Sequence, residues 1–413
     1  MWRRGHFADS FVQRWALYSA SLKARLKSFG DPLWIHAVSV GEMLQAKVLV
    51  EELRKRKPDL QIVITTTTAT GKAVGKELID EKTFVLYTPF DFLWCIKSFY
   101  QVVNPKLIIL VEQELWPNLI WEARGRQIPV WVVNARVSEK SANRMQRFRF
   151  LLRYVIGEIE WVGVQDEREI ERMTRAGFHR HVIFPVGSLK FEVASLGQVD
   201  MKKAVQIREC LAWNEKDPVL FAGSTHLGEE EGVIKYYLKA KETIPKLRLV
   251  IAPRHVERLQ EIITLCKEHK LAITLRSECQ HVLEEPNSNN TVLIVDTTGE
   301  LRDLYHLGSI VFVGKSLHGQ GGQNFLEPTR LGKAVVVGPH MQNFPYLTEI
   351  FVKNDGLKQV ANWEGFEKMV NELLSKPQLV HSIGKNAMKL FAQEMRAGQI
   401  TAEAVIGALE HST

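Results

Sequence analysis

No run in this 413-residue sequence approaches the ~20 apolar residues that a membrane-spanning helix needs. The N-terminus also lacks the apolar stretch and small-residue cleavage site of a secretory signal. Cysteine is scarce. Cys95, Cys210, Cys266 and Cys279 form no CxxC pair and no Cys/His set at zinc spacing. They read as reduced core thiols in a cytosolic setting, which excludes a disulfide framework. There is no short-period repeat, no low-complexity tract, no GxGxxG fingerprint and no Walker A loop, so the dinucleotide and NTPase readings lack their motifs. Neither charge sign dominates: 54 Lys+Arg stand against 47 Asp+Glu, a net +7. This excess permits nucleic acid, an anionic membrane face or a phosphorylated substrate, and selects none of them.

What is present is a soluble globular composition: 45% hydrophobic, 24% charged and a mean hydropathy of −0.12. Disorder, a fibrous repeat and a polytopic membrane protein are excluded. At ~150 residues per domain the length suggests two or three domains. Short β-rich runs alternate with amphipathic stretches from end to end. The first half offers strands at Trp34–Val40, Gln61–Thr67, Phe84–Tyr87, Leu107–Val111, Pro129–Val133, Trp161–Val164 and Val182–Val186. The second offers Pro218–Gly223, Leu247–Ala252, Leu271–Leu275, Thr291–Val295, Ser309–Val313 and Ala334–Gly338. Between them lie patterns such as Met43, Ala46, Val50 and Leu53, one face of a helix. Alternation of this kind implies βαβ units and parallel sheets. Thirteen strands are too many for an eight-stranded barrel, so the expected fold is α/β, two Rossmann-like doubly wound domains facing across a cleft. The seam falls in Gly187–Asp200. The expected division is 1–190, 191–390 and a C-terminal helix, 391–413, packing back on the first domain.

Two segments are basic and amphipathic. Phe7, Phe11, Trp15, Tyr18 and Leu22 line one side of a helix among Arg3, Arg4, Arg14, Lys23, Arg25 and Lys27. Lys140–Arg153 carries basic residues around Phe148, Phe150, Leu151 and Leu152. Such helices attract anionic lipid, and they also serve as docking helices on their own domain.

In doubly wound sheets ligands gather beyond the carboxyl ends of the strands, so the loops there carry the chemistry. Ser39-Val40-Gly41-Glu42 follows the first strand and puts a carboxylate at a helix start, as a ligand-facing group or as a plain helix-start acid. Glu112-Gln113-Glu114-Leu115-Trp116-Pro117-Asn118 sets two acids directly after a buried strand, where desolvated charge is costly. Gly223-Ser224-Thr225-His226 and the helix beyond it form a candidate cradle for phosphate or carboxylate. Pro253-Arg254-His255 brings a guanidinium to a strand end. The densest segment, GKSLHGQGGQNFLE (Gly314–Glu327), frees its backbone to curl around a ligand. Asn324 and Glu327 then sit three apart, with the glutamate suited to ribose hydroxyls.

Taken together these segments resemble the Kdo (3-deoxy-D-manno-octulosonic acid) transferases of lipopolysaccharide synthesis. The resemblance rests on HAVSVGE (36–42), TTTTATG (65–71), EQELWPNL (112–119), NARVSEKS (134–141), VGSLKFE (186–192), STHLGEEE, APRH, DTTGEL (296–301), GGQNFLEP and GPHMQNF, in the family's order over residues 34–344. It implies a GT-B glycosyltransferase that needs no metal or cofactor and moves Kdo from CMP-Kdo to a lipid A precursor, with inversion. The implied location is the cytoplasmic face of the inner membrane; the basic amphipathic segments add an anionic membrane surface as partner, and their basic residues flank apolar stripes rather than exposed aromatic platforms, which speaks against nucleic acid. By the same resemblance Glu42 matches the general base, and Glu112 and Lys190 match transition-state stabilisers. Pro253, Arg254, Thr298, Gly299, Glu300, Asn324, Phe325, Leu326 and Glu327 match the CMP-binding segments. Two departures stand out. Gln323 replaces a histidine common in the family, and the apolar N-terminal anchor usual there does not appear in this sequence. Rival readings are a UDP-sugar transferase or epimerase on the same fold, and a non-catalytic module for anionic lipid headgroups.

Overall fold

The computed structural model describes residues 7–197, 199–279 and 291–411. Arg3 and Arg4, and the side chains of Phe7 and Leu151, lie outside the described residues. Runs such as Leu107-Ile108-Ile109-Leu110-Val111, buried at every position, suit strands covered by helices on both faces. The first sheet holds β1 (Leu33–His36), β2 (Ile62–Thr66), β3 (Thr83–Tyr87), β4 (Leu107–Val111), β5 (Val130–Ala135), β6 (Ile159–Val164) and β7 (Ile183–Pro185). Its order is β3-β2-β1-β4-β5-β6-β7, with every pair parallel.

The second sheet holds β8 (Val219–Thr225), β9 (Arg248–Pro253), β10 (Ala272–Leu275), β11 (Thr291–Ile294), β12 (Ile310–Val313), β13 (Ala334–Val337) and β14 (Lys358–Gln359). It is again wholly parallel, in the order β10-β11-β9-β8-β12-β13-β14. Two Rossmann-like sheets are thus present. The chain divides into two compact units, Met1–Val193 with Glu394–Thr413, and Ala194–Gln393. The C-terminal helix Ala397–His411 packs on the helix Val40–Arg56 within the first unit. There Arg56 bridges Glu52 at 2.8 Å and Glu403 at 3.1 Å, and Gly398 N–H donates to Glu192 Oε1 at 2.9 Å.

Strand order reverses between β1 and β4 in the first sheet and between β8 and β12 in the second. The loops beyond those four strands are where an open α/β sheet binds ligands. β1 stops at His36 instead of running to Val40, because Ser39 is already the cap of the next helix and accepts from the Glu42 N–H. β14 has only two residues and no apolar run to announce it.

The expected single N-terminal amphipathic helix is broken into Phe7–Arg14 and Ala20–Lys27. Ala16 lies in the left-handed region at φ 54°, and Ser19 caps the second helix. Much of the apolar stripe is spent on the unit itself. Tyr18 and Leu26 are core residues, and Trp15 packs at 5.1–5.9 Å on Phe90, Phe92 and Trp94. Lys140–Arg153 falls within two helices, Glu139–Arg147 and Arg149–Ile156, which leave Phe148, Phe150 and Tyr154 exposed.

Candidate active site

In the first unit Ser39-Val40-Gly41-Glu42 closes a local ring. The Glu42 carboxylate accepts from Val38 N–H at 2.7 Å through Oε2 and from the Ser39 hydroxyl at 2.7 Å through Oε1. Both readings of this residue therefore hold in part, since the acid caps its helix in the manner of a capping box. Among the described residues it forms no salt bridge: burial raises its pKa, the two hydrogen bonds lower it, and Glu112 and Glu114 raise it again. A buried carboxylate in a field of like charge is a stronger proton acceptor than an exposed one.

Glu112 follows β4 in the left-handed region, φ 62°, a strained setting for a residue with a side chain. Its carboxylate is held by Gln45 Nε2 at 2.9 Å, one helical turn along from Glu42. Gln45 Oε1 in turn accepts from Asn134 Nδ2 at 2.7 Å, and Asn134 Oδ1 accepts from Leu189 N–H at 3.3 Å. A chain of buried amides thus runs from Glu112 to the segment carrying Lys190. Burial and the nearby Arg136 lower the Lys190 pKa to about 8, against the opposing pull of Glu112. Glu42, Glu112 and Lys190 are in this way joined, by charge and by hydrogen bonds. Gln45 and Asn134 were not legible as members of the group. The i, i+3 spacing of Glu42 and Gln45 was the one available signal.

In the second unit Glu327 is half-buried. Burial raises its pKa, and Arg302, Asn324 and Arg254 act to lower it. Asn324 Nδ2 donates to Glu327 Oε1 at 3.1 Å, and Asn324 Oδ1 accepts from Leu326 N–H at 3.1 Å. Phe325 and Leu326 are fully buried, so only their backbone could meet a ligand. Arg254 stands exposed at the end of β9, beside half-buried Pro253.

A cavity of about 460 Å³ is lined by Lys203, Arg276, Ser277, Thr297, Thr298, Gly299 and Glu300. Here Glu300 is already engaged: Arg276 Nε lies 3.1 Å from Oε1, Arg276 Nη2 donates to Oε2 at 3.2 Å, and Lys203 stands 3.8 Å away. Thr298 and Gly299 (φ 87°) are exposed. Their backbone, rather than the Glu300 side chain, is what the loop offers a ligand.

Two expectations about the cradle need correction. The ladder to β9 is irregular between Gly223 and Thr225, and Thr225, the last residue of β8, is turned into the core with its hydroxyl buried and unpaired among the described residues. Ser224, half-buried at φ 53°, bonds to the Tyr305 hydroxyl. The amides that open the glycine-rich segment are not free either. Lys315 N–H donates to Glu229 Oε2 at 2.7 Å, while Ser316, Leu317 and His318 N–H donate to Oε1 at 3.0, 3.2 and 3.2 Å. Among the described residues no cluster of metal-ligating side chains occurs, and no helix is long and apolar enough to cross a membrane.

Comparison with known proteins agrees with the resemblance. The family profile 3-Deoxy-D-manno-octulosonic-acid transferase (kdotransferase) matches residues 9–193. A 3-deoxy-D-manno-octulosonic acid transferase of Haemophilus influenzae is 33% identical over 368 residues, 89% of this chain and 84% of that one. The Bordetella pertussis protein of the same name is 32% identical over 359 residues, 83% of this chain and 80% of that one. A putative UDP-N-acetylglucosamine 2-epimerase from Listeria monocytogenes, 13% identical, superposes with a TM-score of 0.61 over 92% of this chain and 95% of that one. That likeness establishes the two-domain GT-B-type fold alone. Motif order, sheet topology and identity over most of both chains lead to one conclusion: the chain belongs to the 3-deoxy-D-manno-octulosonic acid transferase family, glycosyltransferases that transfer Kdo in lipopolysaccharide synthesis.

Proposed function

We propose that the donor is CMP-Kdo, that the acceptor is the lipid A precursor lipid IVA, and that transfer inverts the anomeric centre without a metal. In this reading Glu42 takes the proton from the acceptor's primary sugar hydroxyl as that oxygen attacks the anomeric carbon. General-base help of this kind contributes about 10²–10⁴-fold. Lys190, held with Glu112, meets the negative charge of the transition state, and Arg254 meets the phosphate charge that grows as CMP departs. The second unit holds the nucleotide through Thr298–Glu300 and Asn324–Glu327. The observation that carries the reading is the Glu42 carboxylate, buried, in no salt bridge among the described residues, with two further acids acting on it.

The acceptor is a lipid, and the first unit has surfaces suited to it. The helix Pro117–Gly125 starts directly after the Glu112 loop and bears Trp121, 65% exposed. It packs against Arg149–Ile156, which carries exposed Phe150 and Tyr154 among exposed Arg149 and Arg153. Aromatic side chains flanked by arginines suit the headgroup layer of an anionic bilayer. We place the protein on that basis at the cytoplasmic face of the inner membrane.

Mass spectrometry of the lipid after incubation with CMP-Kdo and a tetra-acylated lipid A precursor tests the reading and counts the sugars added. An unmodified lipid with CMP-Kdo intact would refute it. Calorimetry comparing CMP with UMP decides against a UDP-sugar enzyme if CMP binds more tightly.

A further inference from the structure

Glu229 has no part in the reaction as proposed, yet it is among the most heavily hydrogen-bonded side chains described. It opens the helix Glu229–Thr243 after β8 and is fully buried. Besides the four amides of Lys315–His318, its Oε2 accepts from His226 N–H at 3.0 Å. Five backbone donors from the two loops that flank the point of strand reversal thus converge on one carboxylate. Consecutive amides bent into such a concavity form an anion nest, and this point of an open sheet is where ligand anions commonly sit. Here the chain supplies the anion itself.

The surrounding sequence is fitted to it. Lys315 takes φ 56° to turn its amide inward. A Cβ at Gly314 would lie 2.7 Å from Glu229 Oε2 and 2.5 Å from Ser224 O, so a side chain at that position would collide with the carboxylate and the β8 loop. The ordered loop also carries its neighbours. The Ser316 hydroxyl accepts from Gly338 N–H at 2.9 Å, and Ser316 O accepts from His340 N–H at 3.0 Å. Gln342 Oε1 then accepts from Gly321 N–H at 2.8 Å.

We propose that Glu229 is a built-in anion that fills the nest of the second unit and holds the glycine-rich loop in its ligand-ready form. It acts as a positioning residue through the loop. The consequence for the donor rests on the function proposed above: the phosphate of the nucleotide binds away from the Lys315–His318 amides, and loss of Glu229 weakens donor binding without slowing the chemistry. Because the nest needs a carboxylate and not a covalent tether, a small one from solution should replace it.

The test uses the full chain with Glu229→Ala and Glu229→Gln, measured in chloride and in formate or acetate at equal ionic strength. Glu229→Ala should lower CMP affinity by about tenfold in chloride, the scale of losing hydrogen bonds to a charged group. The KM for CMP-Kdo should rise with kcat little changed. Formate should restore both affinity and melting temperature. Glu229→Gln, whose amide fills the space and turns N–H against N–H, should be impaired and insensitive to formate. If Glu229→Ala does not fold in chloride, its refolding yield is compared with and without formate, and an equal yield overturns the proposal. So does undiminished CMP affinity in chloride, or a folded Glu229→Ala that no small carboxylate improves. Wild-type protein that fails to bind CMP, alongside a Glu229→Ala variant whose melting temperature recovers in formate, would remove the donor assignment and leave the brace standing.

Discussion

Glu42 and Glu229 occupy corresponding places in their two units: each lies in the first turn of the helix that follows the strand at which the sheet order reverses. Their surroundings make them opposites. Glu229 is gripped by five backbone N–H groups and lined by a glycine that admits it. Glu42 has one backbone N–H and one hydroxyl, and the acids of the β4 loop face it as charge rather than as donors. A carboxylate saturated with amides is a structural brace; one left short of them, in a field of like charge, keeps its appetite for a proton. The decisive difference is the loop from the neighbouring strand. After β12 it wraps its amides around Glu229, whereas after β4 it turns at Glu112 and is tied back by Gln45.

The largest expected effect that would break this contrast is on Glu42. Glu42→Gln should keep CMP binding and lose transfer by at least ~100-fold. Near-normal turnover with lipid acceptor would make Glu42 a brace like Glu229. Next, Lys190→Ala should cost on the order of 10² in kcat, the scale of losing one transition-state donor. In the wild type the Lys190 cation is lost as pH rises through about 8, so kcat should fall over that range. A profile flat to pH 10 would separate Lys190 from the chemistry.

A finer test concerns the like charge on Glu42. Its raised pKa predicts an acid limb of kcat/KM above the ordinary glutamate midpoint of about 4.3. Glu112→Gln removes one of the acids that raise it, so the limb should move to lower pH. A limb that stays put would remove Glu112 from the groups that set it.

The smallest effect is structural. Burial raises the Glu192 carboxyl to about 7, above its unfolded value of about 4.3. Its stabilising protonation is complete below the unfolded value and is lost as pH rises through about 7. Wild type should therefore lose melting temperature across that window relative to Glu192→Gln, which stays neutral. Parallel melting curves from pH 4.5 to 7.5 would refute this.

How far the site could be read in advance differed by residue. Glu42 was visible because it stands at a helix start directly after an apolar strand and ends the motif HAVSVGE. Gln45 and Asn134 were not: Gln45 had only its i, i+3 spacing to Glu42 and Asn134 only its place at the head of NARVSEKS, and they meet Glu112 because β1, β4 and β5 lie side by side. Glu229, Glu230 and Glu231 form a featureless acidic triplet in sequence, yet each meets a different fate. Glu229 enters the nest, Glu230 pairs with Arg258 at 2.8 Å, and Glu231 pairs with Lys235 at 2.6 Å. A helix turns 100° per residue, so which acid faces inward depends on how the helix is docked.

The sequence by itself determined the alternation of strands and helices, since apolar runs buried on both faces leave few other solutions. It also determined which loops stand at strand ends, and, through its motifs, the family. Strand order, and with it which loops become neighbours, was decided only by the tertiary structure. Carboxylate chemistry follows from the donors and charges brought within a few ångströms, and those arrive from residues far apart along the chain.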